Sequence, residues 1–260
     1  MKIEKVNPIQ LQPGKKIFFA SDVHLGLYPA NKSLAREKVF VKWMKSIQDE
    51  AQVLFLQGDI FDFWYEYKKV APRGFTRFLG QLTDFNDRGI EVHFFTGNHD
   101  VWVFDYLPSE TGVILHRHLI ETEINGKTFI IGHGDGIGSG DFGYKILKSL
   151  FTSKILQFLF SRLHPNFAFW IGHTWSKHSR LSKGVAEAFF GEDKEHQIVF
   201  ARDYIKTKEI NYFIFGHRHI PMEIKLTERS IFMNLGEWIH SNTYAEFNGS
   251  ELILKSFPKE

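Results

Sequence analysis

The chain has 260 residues, 43% of them hydrophobic and 24% charged, a balance that describes a globular protein and excludes disordered and fibrous classes. Its 32 basic and 30 acidic side chains leave a formal charge of +2, so no broad basic field advertises a nucleic-acid binder. There is no cysteine, which excludes disulfides, thiolate metal sites, iron–sulfur clusters and thiol nucleophiles together and leaves any metal to His, Asp, Asn or Glu.

In chain order, the first apolar run, Ile17–Ala20, predicts a buried strand. Phe40, Trp43, Met44, Ile47 and Ala51 then fall at helical spacing, with Ser33 as the expected N-cap. A second strand is expected at Val53–Leu56, then a helix carrying Phe75, Phe78, Leu79, Leu82 and Phe85 and closed by Gly89. Strands come next at Val92–Phe95 and Phe129–Ile131. Residues 141–208 break the alternation: Phe142, Ile146, Leu147, Leu150 and Phe151 are helically spaced, as are Phe167, Trp170, Ile171 and Trp175, with Pro165 between the two sets. This stretch reads as a helical insertion in a single domain covering 1–260. Two further strands are expected at Tyr212–Phe215 and Ile231–Leu235, and Asn248-Gly249 marks a closing hairpin. Strand and helix alternating in this way predict an α/β sheet with crossovers, whose ligands gather at the carboxyl ends of the strands. Met1 to Pro8 has no apolar signal-peptide core, and the most apolar stretch, Arg162 to Lys177, is interrupted by His164, Pro165, Asn166 and His173. A cytoplasmic protein is expected.

The residues just beyond the strand ends carry the chemistry. The five strands from Ile17 to Phe215 lead into Ser21-Asp22-Val23-His24, Gly58-Asp59, Gly97-Asn98-His99-Asp100, Gly132-His133-Gly134-Asp135 and Gly216-His217-Arg218-His219. Asp22, His24, Asp59, Asn98, His133, His217 and His219 are carboxylate, amide and imidazole ligands of the kind that hard or borderline divalent cations take. With one carboxylate shared they suffice for two four-ligand metal sites. Two adjacent cations lower the pKa of a bridging water and clamp the oxygens of an in-line displacement at phosphorus. Asp22 and His24, like His217 and His219, lie two apart, so in extended chain each pair faces the same way. The remaining His93, His116, His118, His164, His173, His178, His196 and His240 lack such spacing and read as structural or surface residues.

Taken in order, Asp22-x-His24, Gly58-Asp59-x-x-Asp62, Gly97-Asn98-His99-Asp100, Gly132-His133 and Gly216-His217-x-His219 resemble the signature of the calcineurin-like metallophosphoesterases, from about Ile17 to Trp238. Within that superfamily the chain looks most like the bacterial UDP-2,3-diacylglucosamine hydrolases of lipid A synthesis. The further matches are Asp59-Ile-Phe-Asp-Phe-Trp64, Asp141-Phe-Gly-Tyr144, Ser176 and Lys183 in the insertion, and Leu235-Gly-Glu-Trp238. One residue departs: the familiar proteobacterial hydrolases carry Arg where this chain has His99, while His is usual in the wider superfamily.

The resemblance implies a four-layer α-β-β-α sandwich with the helical insertion as a lid. It assigns Asp22, His24, Asp59 and His219 to one metal and Asp59, Asn98, His133 and His217 to the other, both expected to be manganese. Attack of metal-bound hydroxide on the diphosphate would yield UMP and 2,3-diacylglucosamine 1-phosphate. His99 would face the phosphate, stabilising charge in preference to donating a proton, and Asp100 would orient its ring. Trp64, Asp141, Tyr144, Ser176 and Lys183 are the expected substrate contacts. The insertion's Phe142, Phe151, Phe158, Phe160, Phe167, Phe169, Trp170 and Trp175 offer an acyl groove. Peripheral contact with the cytoplasmic face of the inner membrane would be helped by Lys145, Lys148, Lys154 and Arg162. No nucleic acid and no obligate protein partner is expected. Two alternatives stay open: a phosphodiesterase for another nucleotide or small diester, and a non-catalytic scaffold of the same fold.

Overall fold

Along the first predicted strand Ile17 and Phe19 face one way, Phe18 and Ala20 the other, and all four are buried. A strand so covered needs a layer on each side. The computed structural model describes residues 2–138, 148–182 and 188–258, and of 177–182 the backbone only. The expectations at Asp141, Phe142, Tyr144, Lys145 and Lys183 lie outside the described residues.

The first part of the chain forms β1 (Ile3–Lys5), β2 (Lys16–Ala20), α1 (Ala30–Ile47), β3 (Ala51–Gln57), α2 (Thr76–Asp87), β4 (Glu91–Phe95), α3 (Tyr106–Thr111), β5 (Ile114–His116), β6 (Leu119–Ile124) and β7 (Lys127–Ile131). After these come α4 (Lys154–Phe160), α5 (Pro165–Ser182), α6 (His196–Ile205), β8 (Tyr212–Phe215), β9 (Pro221–Lys225), β10 (Ile231–Leu235), β11 (Thr243–Phe247) and β12 (Leu252–Ser256). The strands make two six-stranded mixed sheets, in the orders β1-β6-β7-β8-β10-β9 and β12-β11-β2-β3-β4-β5. In the second sheet β2, β3, β4 and β5 run parallel. In the first, β7, β8 and β10 do so.

The strand period of two produces three apolar layers. Ile17, Phe19, Phe55, Phe129, Ile131, Ile214, Met233 and Phe247 fill the space between the sheets. The opposite face of the second sheet, with Phe18, Leu54, Leu56 and Phe94, packs against Phe40, Trp43 and Met44 of α1 and Phe78, Leu82 and Phe85 of α2. The outer face of the first sheet, with Ile130, Phe213, Phe215 and Phe232, is covered by Ile198 and Ala201 of α6. The result is helix, sheet, sheet, helix. Much of the large Phe content is therefore core.

Three local expectations need correction. Ser33 is not an N-cap: α1 is already helical at Ala30, and the Ser33 hydroxyl accepts the Gly26 N–H at 2.7 Å. Ala51 leaves the helix stripe, because α1 ends at Ile47 and Ala51 opens β3, where it is buried. The expected insertion includes α6, yet the apolar side of that helix completes the outer layer of the first sheet.

At the edge of the second sheet His93 of β4 and His116 of β5 are both buried, with His93 Nδ1 2.7 Å from His116 Nε2 and the Glu91 carboxylate on the other side of the His93 ring. Burial, helped by the neighbouring His93, pushes the His116 imidazole down to about 4. Between there and the ordinary value of about 6.5 the unfolded chain takes up a proton that the native state refuses. Stability is therefore expected to fall as the pH drops through that window, by up to about 1.4 kcal/mol per pH unit. Melting temperatures between pH 7 and 4.5 check this. His116→Gln, which keeps hydrogen-bonding capacity without a titrating ring, should flatten the acid limb.

Candidate metal centre

β2, β3 and β4 are neighbours in one sheet and β7 and β8 in the other, so the five loops at their carboxyl ends share one edge of the sandwich. The loops are bound to one another through their backbones. Asp22 N–H donates to Gly58 O at 3.0 Å, His24 N–H to Asp59 O at 2.9 Å and Gly216 N–H to His133 O at 3.0 Å. Five of the expected ligands have left-handed backbone: Asp22 at φ 54°, His24 at 49°, Asp59 at 52°, His217 at 71° and His219 at 56°. That conformation costs of order 1–3 kcal/mol per residue and persists where surrounding structure imposes it. The adjacent glycines serve close approach as well as turning. A Cβ on Gly97 would sit 2.2 Å from Asp59 Oδ1, and one on Gly216 would sit 2.4 Å from Asp22 Oδ2.

The expected ligands converge in two groups, and His24 also forms a third with Asp62 and His99. Ligand atoms of Asp22, His24, Asp59 and His219 lie within 4.8 Å of one another, as do those of Asp59, His133 and His217. Asp59 is common to both. His24 Nε2 and His219 Nε2 face each other at 3.1 Å, and Asp22 Oδ1 is 3.1 Å from the latter. Asp59 Oδ2 is 3.9 Å from His24 Nε2 and 3.4 Å from His133 Nε2, and Asn98 Oδ1 is 3.4 Å from His133 Nε2. The far side of the His133 ring is held at 2.8 Å by Gln57 O, which fixes Nε2 toward the cluster. Asp22 and Asp59 have their carboxyls below the usual range: burial would raise both, and the surrounding imidazoles outweigh it. Burial also opposes a proton on His133, yet Asp59 carries that ring up to about 10. His24 is pushed down to about 4 by burial, the neutral form with a lone pair to give. Imidazole nitrogens facing one another across buried carboxylates are the donor set that a divalent cation satisfies, so the residues fit the expected metals.

His99 stands beside these groups. Its N–H donates to Asp59 Oδ1 at 2.9 Å, and its ring sits edge-on to that of His24 with centroids 4.9 Å apart. Its Nδ1 lies 2.9 Å from Asp62 O and 3.1 Å from Ser176 Oγ. Ser176 thus reaches the centre from α5, where a bare Gly172 lets the helix rest on Phe63: a Cβ there would meet that ring at 2.4 Å.

Two expected roles fail. Asp100 does not orient the His99 ring. Its carboxylate is fully buried and accepts backbone N–H groups from Gly97 at 2.7 Å and Ile60 at 2.8 Å, with those of Asp59 and Phe61 further off, so it clamps two loops together. Trp64 is fully buried in the core against Phe61 and Tyr106, which leaves no surface for a substrate. Its Nε1–H donates to Glu66 Oε1, and Glu66 Oε2 accepts the N–H of Asp105 and of Tyr106 at the start of α3. Trp64→Ala is expected to lower stability by about 3–5 kcal/mol in denaturant titrations, with metal content of the folded fraction unchanged.

Sequence spacing misses two residues here. Asp62, buried, has Oδ1 3.7 Å from His24 Nδ1 and Oδ2 3.9 Å from His173 Nδ1. His173 projects from α5, so nothing in its local sequence marks it; Asp62 is visible only as the last residue of the Gly58-Asp59-x-x-Asp62 motif. More remote braces hold the loops. Arg218, between two of the expected ligands, makes a two-pronged ion pair with Glu195, and Lys148 pairs with Asp135 at 2.6 Å.

A family model described as calcineurin-like phosphoesterase matches residues 15–221. The chain is 36% identical over 254 residues to a UDP-2,3-diacylglucosamine hydrolase of Porphyromonas gingivalis, covering 93% of this chain and 97% of that protein. A protein of the same name from Photorhabdus laumondii is 25% identical over 244 residues, covering 92% and 98%. Among solved structures, the E. coli phosphoesterase YfcE aligns with a TM-score of 0.45 at 12% identity, over 93% of this chain and 92% of that one.

Proposed function

As the chain belongs to the calcineurin-like phosphoesterase family, we propose that it hydrolyses the diphosphate of UDP-2,3-diacylglucosamine to UMP and 2,3-diacylglucosamine 1-phosphate. The observation that carries this reading is the pair of ligand clusters sharing Asp59, in a chain related over nearly its whole length to hydrolases of that name. Asp22, His24, Asp59 and His219 hold one divalent cation, and Asp59, Asn98, His133 and His217 the other, manganese in both. The metals supply Lewis acidity toward phosphoryl oxygens and a nucleophile from water near neutral pH. His99, anchored through Nδ1, presents its other nitrogen to the charge that develops on the phosphoryl group. Ser176, beside His99, contacts the same group or the sugar. Asp141, Tyr144 and Lys183 remain candidate contacts for the sugar and phosphates.

The acyl chains need an apolar surface, and the helices before β8 supply one. No residue of α4 is buried, with Ile155, Phe158 and Leu159 exposed, and Phe167, Trp170 and Trp175 are exposed on α5. Arg162 lies over the Phe158 ring at 4.3 Å, a cation beside the apolar patch. Lys148 is engaged by Asp135, so of the expected cations that are described Lys154 and Arg162 are left to meet anionic headgroups. No described helix is long and apolar enough to cross a membrane. This face suits peripheral binding at the cytoplasmic side of the inner membrane.

Phosphorus NMR of the manganese-loaded protein with UDP-2,3-diacylglucosamine tests the reading. Catalytic appearance of UMP and the sugar 1-phosphate, requiring both acyl chains, is expected. Brisk hydrolysis of bis-p-nitrophenyl phosphate without turnover of the lipid would retain the metal centre and discard the substrate. Co-sedimentation with anionic vesicles, lost at high salt, is the expected membrane signature.

A further inference from the structure

A cleft of about 470 Å3 lies between the N-terminal half of α1, the loop at 70–75 and the N-terminal half of α5, and it lies outside the two ligand clusters. That size is usual for a small-molecule site. His173 lines it with its Nδ1 3.9 Å from Asp62, and Asp62 in turn borders His24 and His99. The cleft is therefore one side chain, Asp62, away from the expected metal centre.

The lining combines rings with polar side chains. Phe63, Phe75 and Phe169 contribute aromatic surface. Gly26 lies between the Phe75 and His173 rings with no side chain to fill the slot: a Cβ there would be 3.2 Å from the first and 3.9 Å from the second. Arg73 and Asn166 line the same wall, both exposed, and among the described residues neither side chain makes a hydrogen bond or ion pair. Ser33 and Glu37 also line it, but they are already committed to the Gly26 amide and to the first amides of α2.

We infer that this cleft receives the nucleoside of the substrate, with its base against the phenylalanine rings and its carbonyl and hydroxyl groups on Arg73 and Asn166. This rests on the substrate being nucleotide-linked, as proposed above. An acyl chain in the same place would offer the exposed guanidinium and amide nothing to bond, whereas a nucleoside gives both of them partners. The periodicity of α5 separates the two ends of the substrate. Asn166, Phe169, His173 and Ser176 recur at i, i+3, i+7 and i+10 on the face that meets the cleft and the centre, while Phe167 and Trp175 are exposed on other sides of the helix. One helix then holds the nucleoside on one side and lipid on the other.

Calorimetric titration of the manganese-loaded full chain with UMP and with methyl phosphate isolates the nucleoside's share of binding. UMP is expected to bind at least about tenfold more tightly than methyl phosphate. Arg73→Ala and Asn166→Ala should each shrink that advantage, and the double variant should abolish it. Because the readout is a ratio within each protein, a variant that loads less metal still reports. Equal affinities in the wild type, or an advantage that survives in the double variant, would overturn the assignment. So would a defect of the variants in lipid turnover that scales with acyl length. A nucleoside advantage that depends on both residues, in a protein that does not turn over the glycolipid, would keep this cleft and sink the substrate reading. Turnover without any nucleoside advantage would do the reverse.

Discussion

Asp59→Asn is expected to lower turnover of any phosphoester substrate by about a thousandfold or more, close to 4 kcal/mol of transition-state stabilisation, and to release metal. The reason lies in what the substitution spares. Asn keeps an oxygen for the His99 N–H, now 2.9 Å from Oδ1, and it tolerates the left-handed φ of 52° at this position. The clamp made by Asp100 on the neighbouring amides is untouched. The loss is the negative charge of the one side chain common to both clusters, against which the His24, His133 and His219 rings are arranged. Metal content by plasma emission spectrometry should fall in step with activity, while the far-ultraviolet circular dichroism stays that of the wild type. A variant with normal metal content and normal turnover would show that Asp59 bridges nothing.

The parts of this centre legible in the sequence are those set by the chain within a few residues. A strand buried on both faces shows as an apolar run, and where it stops the first few polar residues stand at the sheet edge; Asp22, Asp59, His133 and His217 are all visible in that way. Strands without such a run escape notice. β9 alternates exposed with half-buried residues, and β6 carries Glu121 and Glu123. Helical periodicity locates α1 and α2 but not their ends, because Ala51 is as apolar in a strand as in a helix stripe. A motif fixes order and not depth, which is why Trp64 reads as a contact and is core, and Asp100 reads as a partner of its neighbour's ring and instead binds backbone. His173 belongs to the cleft only because Gly172 lets α5 settle on Phe63, a contact more than a hundred residues apart in sequence.

His99 is the position where the chemistry can be divided. His99→Ala is expected to reduce kcat by about a hundred- to ten-thousandfold and to leave metal content unchanged. Its contribution to the cluster is a backbone N–H to Asp59, which alanine retains, and the ring belongs to neither of the two proposed ligand sets. Two roles remain for that ring. A proton donor must titrate near the working pH, whereas a charge stabiliser need only carry a donor N–H toward the phosphoryl oxygens. Arginine separates them, since it offers N–H donors and a permanent charge but cannot give up a proton at neutral pH. His99→Arg is therefore expected to recover a substantial part of the activity lost in His99→Ala, with a flatter pH profile. That outcome would also explain how the proteobacterial hydrolases that the chain resembles can work with Arg at this place. If the Arg variant is as inactive as the Ala variant with its metals in place, His99 acts as an acid, and the leaving phosphate needs the proton that charge stabilisation was meant to make unnecessary.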